Sequence, residues 1–383
     1  MNRFSLPFYL LGKELKSSPA TFIRQWILFS LIFAIVIVLF VMPESYRFLR
    51  VAPYELANYD FQVSGELREK EFKKVQNCPQ IDKVVGVIEW NGLGLENLGN
   101  GKQHEAPVLF ANNITVAADI SPNNNALLMK GTYKENGAVL TYGLSKKLGA
   151  KIGDEIQIDW SSFERPEYKV KYTITGISYE TAAGEQMVAD MNVAENTLNE
   201  VSKKVANRPD PIKYSYFYAT FKANNDMELE SISKLLGNLS IESRLAMLEE
   251  EERVVQQLSA QVQYQRYGIL ILYLLVICGY TLITIREKER FFAITMLLGA
   301  KKSFPYYYLL LGNMFLFVVV TLSSVILSYH FYRYFLEFYF PVTILLHLIF
   351  YAAFINLAIL LIASYFGLQK LNKLNIVDIL AKE

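Results

Sequence analysis

YGILILYLLVICGYTLITI, residues 267–285, is 19 residues without a charge. A bilayer core of about 30 Å needs roughly 20 apolar residues in a helix, so this run is one membrane span. Three more charge-free runs occupy 25–43, 303–332 and 338–369, of 19, 30 and 32 residues. The first holds one span, and each of the longer two holds one with length to spare. Whole-chain averages hide this pattern. Over 383 residues the net charge is only +1 and the mean hydropathy +0.20. Four spans exclude a soluble enzyme, a disordered chain, a disulfide scaffold and a nucleic-acid binder with a basic face. Cys78 lies in a polar stretch and Cys278 inside a span, so both read as unpaired.

Outward from the opening run, charge sets the orientation. Residues 286–302 carry Arg286, Lys288, Arg290, Lys301 and Lys302 against Glu287 and Glu289, a net charge of +3. The segment before the first span, with Arg3, Lys13, Lys16 and Arg24 against Glu14, is also +3, and the tail 367–383 is +1. Residues 43–265 carry 24 basic and 31 acidic side chains, a net charge of −7. Positive loops stay in the cytoplasm. The expected plan is therefore a cytoplasmic entry helix (1–25), a first span (26–43) and an extracytoplasmic domain (44–244). A stalk helix (245–266) leads to the second span (267–285) and a cytoplasmic loop (286–302). The third span (303–329), a short outer loop (330–341), the fourth span (342–366) and a cytoplasmic tail (367–383) follow. The first span reads as a retained anchor, because Met42-Pro43-Glu44-Ser45 is no small-residue cleavage site. The fold class is a membrane α-helical protein of four transmembrane helices, with an α+β domain inserted between helices 1 and 2.

About 200 residues outside are enough for a real core. Val84–Ile88, Ala138–Thr141, Ile156–Trp160, Tyr168–Ile174 and Tyr214–Phe221 read as strands, several with period-two alternation. A helix through Leu144 and Leu148 stops at Gly149, and Asp226–Leu239 has helical spacing. The Asn- and Gly-rich stretches 91–101 and 123–125 read as turns. From about Leu245 one helix runs into the second span. Leu248, Val255, Val262 and Ile269 lie seven apart with Leu258 as companion, a partial heptad seam for a stalk or dimer. Glu249–Glu252 point around the whole helix and read as a solvated first turn rather than a metal cluster.

In the loop, charged 286–290 is followed by Phe291-Phe292-Ala293-Ile294-Thr295-Met296-Leu297-Leu298 and then Gly299-Ala300-Lys301-Lys302. This reads as a short helix with a Gly stop. Its side with Phe291, Ile294, Thr295 and Leu298 must lie against lipid, the bundle or a partner.

Leu298-Gly299-Ala300-Lys301-Lys302, after a charged lead-in and before a third span, resembles the signature loop of the FtsX/MacB-like permeases of ABC transporters. The end, Leu374–Lys382, is similar to the family's terminal segment, and Leu10–Lys16 to its entry helix. Leu127–Gly131, Ala138–Thr141, Leu144–Asp154 and Thr173–Ile177 resemble successive blocks of its extracytoplasmic domain. The resemblance implies a permease subunit that transmits ATP-driven motion. Its loop, Arg290, Phe291, Phe292, Ile294, Thr295, Leu298, Gly299, Ala300, Lys301 and Lys302, would seat on a separate cytoplasmic ABC ATPase. ATP and Mg would belong to that partner, with no cofactor in this chain. It also implies a second permease chain, identical or not, and an extracytoplasmic adaptor or substrate-delivery protein, in a lipid membrane and without nucleic acid. The task would be export of a substrate or activation of an outer partner. The chain departs from the family pattern at Phe291, Met296, Gly312 and Ile376. These changes leave an unusually apolar loop helix, which would suit one half of a heterodimer.

The chain carries no Walker A pattern, His-Glu-x-x-His or Gly-x-Ser-x-Gly. His104, His330 and His347 are too scattered to form a metal set. Asn313, His347 and Asn356 are the notable polar groups within spans, either functional or bonding helix to helix. A membrane sensor relaying antibiotic or envelope stress is the alternative. Such receptors usually continue into a cytoplasmic signalling domain, whereas most of 286–383 is membrane. An intramembrane enzyme or secondary transporter is a third reading, against which stand the few spans and their uncharged interiors.

Overall fold

The computed structural model describes residues 19–160, 169–206, 213–222, 239–301, 303–331 and 342–372, with single positions between 7 and 13 and between 229 and 236. Expectations for most of the entry helix before residue 19, the outer loop 332–341, the tail from 373, Lys302 and most of 226–239 lie outside the described residues, as does the side chain of His347. In chain order the main elements are α1 (Pro19–Arg50), α2 (Ala52–Glu55), β1 (Phe61–Arg68), α3 (Glu69–Gln76), β2 (Ile81–Asn97), β3 (Gln103–Ala111), α4 (Ile114–Ile120), β4 (Leu128–Gly131), β5 (Gly137–Thr141) and α5 (Tyr142–Leu148). Then come β6 (Glu155–Asp159), β7 (Lys169–Ser178), β8 (Met187–Asp190), α6 (Met191–Ala206), β9 (Lys213–Phe221), β10 (Ser240–Ser243), α7 (Arg244–Leu297), α8 (Phe304–Phe331) and α9 (Val342–Asn372). They fall into two compact units, Met1–Glu44 with Gln257–Glu383, and Ser45–Gln256.

The second unit is built on one sheet. Its order is β10-β1-β9-β2-β3-β8-β5-β7-β4, and β6 bridges β2 and β7. The pairings β2–β3–β8–β5–β7–β6 therefore return to β2 and close a ring. β2 makes this possible by its length of 17 residues. Its first part lies beside β9 and its last four residues beside β6. Residues 91–97, expected as a turn, are thus strand. Gly92, at φ +72°, sits where the register shifts between Trp90 and Leu93, so the strand passes the glycine as a bulge instead of ending there. Beyond it Leu93, Leu95 and Asn97 are buried in alternation.

Period-two burial along β7 sends Val170, Tyr172 and Ile174 into one core with Ile156 and Ile158 of β6, Phe110 and Trp160. Trp160 stacks on Phe110 at 5.8 Å between centroids. A second core gathers Val85, Val87 and Leu109 against α4. Asn113 starts that helix by accepting the Val116 N–H at 3.0 Å. α5 ends as expected at Gly149, which is left-handed, with the Ala150 N–H on the Ser145 carbonyl and the Gly149 N–H on Lys146.

The first unit contributes four helices long and apolar enough to cross a membrane: Phe22–Arg50, Arg244–Leu297, Phe304–Phe331 and Ile349–Gly367, two of which run on into the other unit. α1 does not stop at Pro43, where the sequence suggested an end; it continues to Arg50. Proline has no N–H, so the Leu39 carbonyl one turn earlier loses its helical donor. Arg266 supplies a replacement, with Nε donating to Leu39 O at 2.8 Å and Nη2 to Phe40 O at 3.3 Å. Its guanidinium also lies over the Phe40 ring at 4.8 Å.

Small and polar residues join the helices, as expected where apolar surface is no distinction from lipid. α1 presents Ser30 and Ala34, one turn apart, to Ser324 and Ser328 of α8. Ser324 Oγ donates to Ser30 O at 2.9 Å and Ser328 Oγ to Ala34 O at 3.1 Å. Trp26 Nε1 donates to Ser323 Oγ at 2.9 Å. α1 and α7 meet through Phe33 stacked on Tyr273 and Phe29 edge-on to Tyr280.

Candidate functional site

The segment singled out in the sequence is the end of α7. It is not a separate short helix, as its apolar run suggested. α7 continues through it as one helix of 54 residues. No Gly or Pro lies between Tyr280 and Leu298, and Arg286-Glu-Lys-Glu-Arg290 are strong helix formers. The stop falls where expected. Gly299 has φ +92°, its N–H donates to Met296 O at 3.1 Å, and the Ala300 N–H donates to Thr295 O at 3.1 Å. These two bonds are the paired closure of a glycine-terminated helix.

One face of this segment folds back on α8. Phe292 is fully buried among Ile285, Phe304, Tyr308 and Leu309, and Ala293 is buried as well. Phe292 meets Tyr308 edge-on at 5.8 Å, and Lys288 Nζ donates to the Tyr308 hydroxyl at 2.9 Å. Phe292 therefore belongs to the chain's own core and not to an outer contact surface, a correction to its place in the candidate set. Its burial follows from helical phase, which sets it opposite the 291, 294, 298 stripe. Thr295 is half-buried and bonds its hydroxyl back to Phe291 O at 2.7 Å; Ala300 is half-buried too. What remains open is apolar: Phe291, Ile294 (43% exposed), Leu297 (64%) and Leu298 (83%). Arg290 and Lys301 are exposed beside them. Leu297 was not among the candidates; its place next to Leu298 at the helix end could have revealed it.

The heptad seam is also placed differently from expectation. Val255 and Val262 are buried within the chain. Leu248, Leu258 and Ile269 are half-buried, Ile269 against the membrane core with Phe33 and Tyr273. α1, longer than expected, supplies a companion within the chain. Arg47 lies 3.7 Å from Glu252, and Arg50 forks onto Glu251 with Nη2–Oε1 at 3.1 Å. The face of α7 left open is another one: Tyr264, Tyr267, Ile271 and Leu275, spaced by three and four.

Both asparagines within spans bond helix to helix. Asn356, fully buried, accepts from the Tyr273 hydroxyl at 2.8 Å and donates to Thr321 Oγ1 at 2.9 Å, joining α7, α9 and α8. Asn313 donates to Ser364 Oγ at 2.7 Å. Among the described residues no three His, Cys, Asp or Glu come together as a metal set. Cys78 and Cys278 are both free thiols.

No family model matches the chain, and no curated protein does. Among solved structures the chain is similar to the periplasmic region of MacB from Actinobacillus actinomycetemcomitans, at 10% identity and a TM-score of 0.36, over 51% of this chain and 94% of that one. It is similar to the extracellular domain of the noncanonic ABC-type transporter YknZ from Gram-positive bacteria, at 9% identity and a TM-score of 0.32, over 48% and 98%. It is also similar to a domain of a putative permease protein from Porphyromonas gingivalis, at 14% identity and a TM-score of 0.30, over 48% and 82%.

Proposed function

We propose that this chain is the transmembrane subunit of an ABC transporter of the FtsX/MacB kind. It works with a separate cytoplasmic ATPase that holds the ATP and Mg. The exposed end of α7, with Ile294, Leu297 and Leu298 flanked by Arg290 and Lys301, seats on that ATPase. Motion of the ATPase then passes along α7 to the unit between the first two spans, which lies on the outer side. There it expels a substrate or activates an outer partner.

One observation carries this reading. An apolar patch at one end of α7 and the sheet-bearing unit at the other are joined by a single helix without a break. At 1.5 Å rise per residue such a helix is about 80 Å long. Burying one large aliphatic side chain contributes about 1.5–3 kcal/mol, so three of them suffice for a specific seat. The net charge of +3 on residues 286–302 supports a cytoplasmic patch. A second permease chain, if it pairs through the first two spans, meets the open stripe Tyr264, Tyr267, Ile271 and Leu275 and not the Val255–Val262 seam.

The test is co-purification of the full chain with the ATPase encoded beside it. Ile294→Asp with Leu298→Asp is expected to abolish association while the chain still reaches the membrane. Association unchanged in that double variant would sink the reading.

A further inference from the structure

The unit Ser45–Gln256 holds a cleft of about 140 Å³ whose lining includes Tyr54, Tyr216, Tyr218, Leu109 and Glu89. Strand alternation builds it. Tyr216 and Tyr218 stand two apart on β9, and Val87 is paired with Tyr216, so Glu89 comes up on the same face one step further along β2. The Glu89 N–H donates to Ser215 Oγ at 2.8 Å, and the Tyr216 hydroxyl donates to Glu89 Oε2 at 2.8 Å. The carboxylate is therefore held at the mouth with its other oxygen turned to no basic group among the described residues. Behind it the rings of Tyr216 and Tyr218 lie 5.5 Å apart at 58°, and Tyr59 backs Tyr218 at 5.0 Å. Burial raises the hydroxyl pKa of Tyr54, Tyr216 and Tyr218, so these rings stay neutral and keep their electron-rich faces.

The other charge on the rim is already spent. Arg50 is locked onto Glu251 and lies over the Tyr46 ring at 5.6 Å. The pair Arg50 and Glu251 is neutral together, which leaves Glu89 as the net charge of the cleft. Three tyrosine rings lining the cleft beside one exposed carboxylate form a receptor for an organic cation. The volume is close to the roughly 150 Å³ that accepts a benzene-sized guest, enough for an ammonium head and its first carbons but not for a peptide.

The geometry points to a binding site for an alkylammonium group, formed by Glu89 with Tyr54, Tyr216 and Tyr218. The group comes either from a small soluble amine or from an amine-bearing lipid headgroup. This site does not depend on the ATPase reading, since its occupancy is measured without nucleotide or ATPase.

The experiment uses the full chain in maltoside micelles, with tetramethylammonium and n-butylammonium as probes and tert-butanol and n-butanol as neutral comparators. Calorimetric titration is expected to give saturable binding of the two cations and none of the alcohols. Glu89→Gln keeps the bond from Tyr216 and removes only the charge; it is expected to weaken binding at least about fivefold. Tyr216→Leu is expected to do the same, whereas Glu195→Gln, in a different cleft, leaves binding unchanged. A second arm repeats the titration in nanodiscs with and without phosphatidylethanolamine. Competition by that lipid assigns the site to headgroups, and its absence assigns the site to soluble amines. No saturable binding of either cation, or equal binding by Glu89→Gln, overturns the proposal.

Discussion

Replacing Arg266 by Met tests the account of how α1 survives Pro43. In the native chain the Leu39 carbonyl has no helical donor, and the Arg266 guanidinium supplies one at 2.8 Å with a second contact on Phe40 O. A hydrogen bond from a charged donor contributes about 1.5–3 kcal/mol net. The guanidinium over Phe40 adds about 0.5–1 kcal/mol. Arg266→Met is therefore expected to destabilise the chain by roughly 2–4 kcal/mol. Pro43→Ala gives Leu39 back a backbone N–H, so in that background the same change no longer orphans the Leu39 carbonyl. The coupling between the two positions is then about 1.5–3 kcal/mol. The four proteins of this cycle are purified in maltoside and unfolded with increasing dodecyl sulfate, with circular dichroism as the readout. An equal cost of Arg266→Met in both backgrounds would refute the idea that its side chain stands in for the missing N–H.

Phe292→Ala is expected to cost about 3–5 kcal/mol in the same unfolding assay, because it empties the cluster against Tyr308. Leu298→Ala, at an exposed position, is expected to stay within about 0.5 kcal/mol of the native chain while weakening capture of the ATPase. With Cys78 and Cys278 both replaced by Ala, a single cysteine at Ile271 is expected to cross-link two chains in the membrane, whereas one at Val262 is not; the reverse result would restore the heptad seam as the dimer contact. At high pH the second unit is expected to unfold. Tyr59, Tyr172, Tyr214 and Tyr216 are all pushed up by burial, so the folded state holds their protons more tightly than the unfolded chain does. Their contribution to stability is complete below the unfolded value of about 10 and is lost as pH rises above it. Tyrosinate absorbance should then appear together with loss of sheet signal. Ionisation of these residues well before unfolding would contradict their burial.

The spans and five of the ten strands are legible in the sequence because length and period alone define them. The end of α7 at Gly299 was legible too, as a glycine after a helical run is a local signal. Three features were not, and each has a long-range cause. The passage of α1 through Pro43 depends on Arg266, 223 residues later. The continuation of β2 past Gly92 depends on β3 and β6 as partners on either side. The heptad in α7 marks a stripe for a stalk or dimer seam, but periodicity does not say whose surface covers it. In this chain Val255 and Val262 are buried while Leu248, Leu258 and Ile269 stay half-buried, and the ion pairs of Arg47 and Arg50 set the end of α1 beside Glu251 and Glu252. Phe292 shows the same limit at the candidate site. Two adjacent phenylalanines look equivalent in sequence, and only the return of α8 makes one core and leaves the other partly open. The cleft around Glu89 left no linear trace, since its residues come from β2, β3, β9, α2 and the end of α1.

An unbroken α7 makes angular phase a property of residue number. Each residue added to or removed from it turns everything beyond by about 100°. A single insertion between Arg244 and Leu297 would aim Ile294 and Leu298 at a new direction while leaving every contact upstream intact. Seven residues bring the face back to within about 20°. The length of this helix is therefore quantised. It can change by seven, eleven or eighteen residues and keep its face within about 20°, whereas most other small changes need a break to absorb the turn.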